Sequence, residues 1–151
     1  WKWYFTSGKV LREETYQKGK EEGYMKELSD SGAVVAEGNY IEGRRDGQWK
    51  FFSESYTAEG EYLDGQPTGK WKGYFSNGIL AFEGEYFDGN ENGEHRYYYD
   101  NGKTREVRRY KTGIADGEWK SYDVTGALIL TTTYLAGEEV KFDGTKISGG
   151  K

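Results

Sequence analysis

A repeat of 24 residues constrains this chain more than any other feature of its sequence. Trp1, Met25, Trp49, Trp71, His95 and Trp119 follow one another at intervals of 24, 24, 22, 24 and 24 residues. The next residue is always basic: Lys2, Lys26, Lys50, Lys72, Arg96 or Lys120. Two further on stands Tyr4, Leu28, Phe52, Tyr74, Tyr98 or Tyr122. A glycine recurs at Gly8, Gly32, Gly78, Gly102 and Gly126, and a tyrosine at Tyr16, Tyr40, Tyr62, Tyr86, Tyr110 and Tyr134. Three residues after each tyrosine comes a second glycine: Gly19, Gly43, Gly65, Gly89, Gly113 or Gly137. A fixed period of this length means that each unit is one supersecondary motif, stacked on its neighbours.

The motif reads as a hairpin. Ser76-Asn77-Gly78 and Asp100-Asn101-Gly102 put Asn-Gly between alternating residues, the strongest short-range hairpin signal. A two-residue turn at Asn77-Gly78 sets Ser76 against Ile79, Lys72 against Glu83 and Trp71 against Gly84. The same count sets Lys2 against Glu13, Lys26 against Glu37 and His95 against Arg108. The third unit lacks the glycine and is two residues short. If each arm loses one residue, its turn becomes Glu54-Ser55, and Lys50 still faces Glu59 while Trp49 faces Gly60. Facing opposite charges contribute roughly 0.2–1 kcal/mol per pair.

Alternation then sorts two faces. One carries the key Trp positions, the glycines opposite them, the recurring tyrosines and the aliphatics Val10, Val34, Leu80 and Leu128. The other carries the Lys–Glu pairs and the second aromatic of each unit. Gly38, Gly60 and Gly84 leave room for a large ring, which compensates for a strand glycine. Residues 63–69 and 87–93, rich in Gly, Asp and Asn, read as longer polar turns between units.

Composition agrees. The chain has 151 residues, 23 Gly, one Pro and 17% aromatics, which suits short strands joined by turns and fits one domain. A net charge of −5 argues against a general nucleic-acid binder, which needs a basic surface. There is no cysteine for a disulfide or thiolate metal site. No apolar run reaches the length of a membrane-spanning helix. The chain opens at Trp1 without Met, so upstream residues are expected to have been removed.

The segment GKWKGYFSNGILAFEGEYFDGNENGE, residues 69–94, resembles the MORN-repeat variant found in bacterial YwqK-type antitoxin-like proteins. The resemblance covers residues 1 to about 137. It implies β-hairpins stacked into an elongated, twisted antiparallel meander. It also implies protein–protein contact, or association with lipid, and no catalytic residue to carry over.

Enzyme chemistry finds little support in the residues. A catalytic His needs an orienting group and a nucleophile or co-ligands. The single histidine, His95, instead faces the cation Arg108, and no second His exists to complete a metal site. Glu13, Glu37, Glu59 and Glu83 each face a lysine, which describes a solvated ladder better than an acid/base pair. The Asp/Asn/Gly-rich segments lack the EF-hand spacing with its final Glu. No cofactor is expected.

The fifth unit departs most from the pattern. Its second strand, residues 103–111, carries five basic residues and one Glu. Arg105, Arg108, Arg109 and Lys111 are therefore candidates to dock an acidic partner or a lipid headgroup. His95, Tyr97 and Tyr99 on the facing strand join them as candidates, because aromatics bury area at little entropic cost.

The expectation is thus an all-β, single-layer, elongated antiparallel meander of about six hairpins over residues 1–139, with a C-terminal cap and loose tail at 140–151. The expected function is a non-enzymatic scaffold that binds another protein. The alternatives are an antitoxin-like or immunity-like partner of a toxin, and a membrane-surface or cell-envelope module. A bacterial setting is expected, cytoplasmic or exported. The strand opening at Trp1 is expected to be an edge, covered by an upstream segment or by pairing with another chain.

Overall fold

The computed structural model describes residues 2–4, 6, 10–13 and 16–144. Trp1, the turn at Gly8 and the tail 145–151 lie outside the described residues. The described elements are all strands: β1 (Lys2–Tyr4), β2 (Val10–Glu13), β3 (Tyr16–Gln17), β4 (Lys20–Glu21), β5 (Gly23–Leu28), β6 (Val34–Ile41), β7 (Arg44–Phe52) and β8 (Tyr56–Leu63). They continue with β9 (Gln66–Phe75), β10 (Leu80–Phe87), β11 (Asn90–Tyr98), β12 (Thr104–Lys111), β13 (Ile114–Ala115), β14 (Gly117–Tyr122), β15 (Leu128–Leu135) and β16 (Glu138–Gly144). They form one open antiparallel meander in the order β1-β2-β5-β6-β7-β8-β9-β10-β11-β12-β14-β15-β16, not closed into a barrel. β13 pairs with β12 ahead of β14, and β3 pairs with β4. β16 adds to β15 through Gly144, so residues 140–144 are strand.

The expected register holds through the body of each hairpin. Lys72 pairs with Glu83, Trp71 with Gly84, Lys26 with Glu37 and Lys2 with Glu13. In the short third unit Lys50 pairs with Glu59 and Trp49 with Gly60. The Ser53 N–H donates to Tyr56 O at 2.8 Å, which leaves Glu54-Ser55 as the two-residue turn.

The turns themselves are the reverse of the expectation. Within a unit the Asn-Gly loop has three residues. Gly78 N–H donates to Phe75 O at 2.9 Å, and Phe75 N–H donates to Ile79 O at 2.8 Å. Only Gly78 has a positive φ, 85°, while the Asn77 carboxamide oxygen accepts the Ile79 N–H at 3.0 Å. This is a type I turn closed by a left-handed glycine. One extra residue, Ala81, follows it: Leu80 pairs with Tyr74 but Phe82 with Gly73. A bulge of one residue reverses alternation, so Leu80 sits opposite Tyr74, Val34 opposite Leu28, and Leu128 opposite Tyr122. These three aliphatics therefore belong to the charged face, not the aromatic one. The side chain of Val10 lies outside the described residues.

Between units the chain makes the tight turns. Leu63 and Gln66 are strand partners around Asp64 (φ 52°) and Gly65 (φ 82°). Positive φ at both central positions defines a type I′ turn, whose twist matches that of the strands it joins. Residues 66–69 and 90–93 are consequently strand rather than loop. Each turn glycine also ties to the unit before it: Gly65 N–H donates to Arg45 O at 2.9 Å, and Gly113 N–H to Glu91 O at 2.7 Å.

The core is a stripe of rings along one face. Trp49 is 0% exposed and Trp71 is 8% exposed. Tyr62 stands edge-on between them at 6.1 and 5.2 Å, and Phe51 stacks on both at 5.9 and 6.2 Å. Each key ring lies on the glycine of the preceding unit, Trp49 on Gly38 and Trp71 on Gly60. Its indole N–H donates to the carbonyl just past that glycine, Asn39 at 3.0 Å and Glu61 at 3.2 Å. A thin sheet thereby buries large apolar area without a second layer.

Candidate functional site

His95 is a member of this stripe. It is 0% exposed, lies over Gly84, and stacks edge-on to Tyr86 and Tyr110 at 5.3 and 5.2 Å. Its Nε2 is 2.7 Å from Glu85 O, the bond that Trp49, Trp71 and Trp119 make with Asn39, Glu61 and Arg109. Since a carbonyl only accepts, Nε2 carries the proton. Nδ1 is buried without a hydrogen-bond partner. The imidazole thus replaces an indole, ring for ring and N–H for N–H, and it is spent on packing.

Burial, ahead of all other influences, holds the His95 pKa below its ordinary value. The unfolded chain therefore takes up a proton that the folded one resists. Stability is full above about pH 6.5, the ordinary His value, and is lost as pH falls through the window down to the depressed folded value. Urea midpoints at pH 7.5 and 5.5 should show this acid loss in the native chain. His95→Trp should keep the fold and remove that component. An unchanged pH dependence in the variant would assign the loss to other groups.

The structure divides the seven candidate residues between the two faces. Arg108 lies on the aromatic face, with its guanidinium 4.9 Å from the Tyr97 ring and 5.0 Å from the Trp119 ring. It is held by Glu106 through Nε at 2.7 Å and Nη2 at 3.1 Å. Arg105 lies 5.8 Å from the Tyr97 ring, and Tyr99 donates its hydroxyl to Tyr122 O at 2.8 Å. Arg109 is on the charged face and donates to Glu94 at 3.0 Å, while Lys111 is exposed beside the Thr112-Gly113 turn. They form no single patch.

What the charged face does carry is a ladder. Successive strand partners run Lys2–Glu13–Lys26–Glu37–Lys50–Glu59–Lys72–Glu83–Arg96, alternating in sign across nine strands. Each rung lies roughly 5 Å from the next. Phenols tie in from the side: Tyr74 donates to Glu59 at 3.4 Å and Tyr98 to Glu83 at 2.7 Å. Tyr24 serves Glu37 at 2.7 Å, in the unit whose next neighbour offers Phe52 instead of a phenol. Burial, together with the Glu83 carboxylate, pushes the Tyr98 phenol up to about 12.

The alternation stops at Val107. This valine pairs with Arg96 on one side and Lys120 on the other, where the ladder calls for a carboxylate. A hollow of about 490 Å³ opens there, lined among others by Arg96, Lys103, Thr104, Arg109, Lys120 and Tyr122. Arg96 turns along its own strand to Glu94, and Lys120 to Glu118 at 3.4 Å. Sequence reading missed Arg96, Lys120 and Tyr122, because each occupies its usual repeat position. The signal was Val107, a substitution by an unremarkable residue. Among the described residues no group of three or more His, Cys, Asp or Glu side chains is placed to hold a metal ion.

Fold and surface together define an open hairpin-repeat sheet with a stripe of rings on one face and a ladder of charges on the other. The family model for the MORN repeat variant matches residues 1–18, 67–88 and 91–112. Those three segments are similar to MORN repeats of the variant type, and such repeats are generally protein- or membrane-binding modules. No curated protein matches the chain. Among solved structures it is similar to S. aureus TarM in complex with Fondaparinux, alpha-GlcNAc-glycerol and UDP, a mutant form, at 10% identity and a TM-score of 0.28. A second TarM crystal structure shows 11% identity and the same TM-score. Both likenesses cover 87% of this chain and 21% of the other, so the chain spans about a fifth of their length.

Proposed function

We propose that the chain is a non-enzymatic repeat scaffold that holds another protein against the charged face of its sheet. One observation carries this reading. In four units the residue before the type I′ turn is a large apolar side chain left in solvent: Ile41, Leu63, Phe87 and Leu135, at 51, 64, 63 and 65% exposure. All four lie on the second strand of a hairpin in the parity of Glu37, Glu59, Glu83 and Thr131, hence on the ladder face. Ile41, Leu63 and Phe87 stand two strands apart, roughly 10 Å, and Leu135 lies four strands beyond Phe87, with Lys111 in the position between. A repeated apolar row beside a repeated charged row offers a partner both area and register.

Photo-cross-linkers installed at positions 63 and 87 should capture the same defined protein in cells of the natural source. A cross-linker at position 77, on the opposite margin, should not. Leu63→Ser with Phe87→Ser should abolish capture while leaving the unfolding free energy, from urea titration, within about 0.5 kcal/mol of the native chain. Equal capture from both margins, or a row variant that still captures, would remove the row from the interface.

A further inference from the structure

We infer that the hollow over Val107 is a receptor for a carboxylate side chain, supplied by an acidic, extended segment of a partner protein. The inference rests on the scaffold reading but is argued from different groups. The fold itself displays what belongs at this position. In the fourth unit Glu83 lies between Lys72 and Arg96 and accepts the Tyr98 hydroxyl at 2.7 Å. In the third, Glu59 lies between Lys50 and Lys72 and accepts the Tyr74 hydroxyl at 3.4 Å. In the fifth, the same surroundings recur as Arg96, Lys120 and the Tyr122 hydroxyl, but the residue between them is Val107. Two cations and a phenol donor therefore surround a position that holds a carboxylate in the third and fourth units and none here, the cations turning aside to Glu94 and Glu118.

The neighbours narrow the ligand. Glu94 and Glu118 flank the two cations, but Lys103 and Arg109 also line the hollow, so four cations face two carboxylates and the site favours an anion. Glu59 and Glu83 in the equivalent places identify it as a carboxylate. The hollow, about 490 Å³, is the size of a cleft that takes a side chain together with its backbone. Its lining extends along three neighbouring strands, from Glu94, Arg109 and Glu118 towards Tyr122, a path that an extended peptide can follow. Val107 is 7% exposed and supplies a dry floor, on which a charge-assisted bond strengthens.

The test uses the full chain, labelled with nitrogen-15, and capped five-residue peptides of Gly and Ser with a central Glu or Gln. The Glu peptide should shift the amides of Val107, Lys120 and Tyr122, and the Gln peptide should bind at least tenfold more weakly. Val107→Glu places the missing carboxylate in the chain itself. It should fold, since Glu holds this position in four other units (Glu13, Glu37, Glu59 and Glu83), and it should lose binding at least tenfold. Lys120→Gln and Tyr122→Phe should weaken binding without moving the site. Equal binding of the Gln peptide, undiminished binding by Val107→Glu, or displacement by inorganic phosphate at equal concentration would overturn the inference. Because no natural partner is used, failure here leaves the cross-linking result standing, and the converse holds.

Discussion

Trp49→Ala is expected to cost roughly 3–5 kcal/mol, the range for removing a buried aromatic ring. Trp49 is 0% exposed and touches Tyr40, Phe51 and Tyr62 at centroid distances of 5.3, 5.9 and 6.1 Å. The Arg45 guanidinium lies 4.8 Å from its ring. Truncation uncovers Gly38 and leaves Asn39 O without the indole donor. A single-layer sheet has no second layer to collapse into the gap, so little of the loss is recovered. Against a typical total stability of about 5–15 kcal/mol, this is a large fraction. Urea denaturation followed by tyrosine and tryptophan fluorescence measures it. A change under about 1 kcal/mol would show that the ring stripe is not the core.

Gly60→Ala should be nearly as damaging, although it adds only a methyl group. An ideal Cβ at Gly60 would lie 2.1 Å from Trp71 Cδ2 and 2.3 Å from Cε2. The obstacle is the body of a ring that is 8% exposed and held by its N–H to Glu61 O, not the end of a flexible side chain. Overpacking of this kind costs about 1–3 kcal/mol, at times more, and the upper end applies here. A double-mutant cycle isolates the cause. In a Trp71→Ala background the same substitution should cost less than about 1 kcal/mol, because the clash has gone and a strand alanine is otherwise favoured over glycine. A full cost in both backgrounds would point to backbone conformation instead.

The sequence disclosed register more clearly than it disclosed turns, and the reason is physical. A slip of one residue would throw Lys72 and Glu83 to opposite faces, so facing charges in successive hairpins fix the pairing with little ambiguity. Even the short third unit obeyed, because its two missing residues are one from the loop and one from the bulge, leaving Lys50 against Glu59. Turn type depends on where φ becomes positive, and composition does not say. Asn77-Gly78 looks like a type I′ pair, yet the type I′ turns are at Asp64-Gly65 and Thr112-Gly113. The bulge at Ala81 was invisible for the same reason, and it carried Leu80 to the other face. The interrupted ladder needed more still. Counting within one hairpin matches Arg96 with Val107, but only the next hairpin shows that Lys120 is also left without its carboxylate.

The order of the long sheet, in which the strands follow one another as they do along the chain, has a mechanical meaning. Antiparallel hydrogen bonds run perpendicular to the strands, hence along the line that joins β1 to β16. Tension applied between those outer strands does not load many bonds side by side, as shearing would. It meets them one row at a time, and each hairpin that opens lengthens the chain before the next is stressed. A sheet built this way yields stepwise at low force, and the rows with the best-seated rings, around Trp49 and Trp71, should be the last to part.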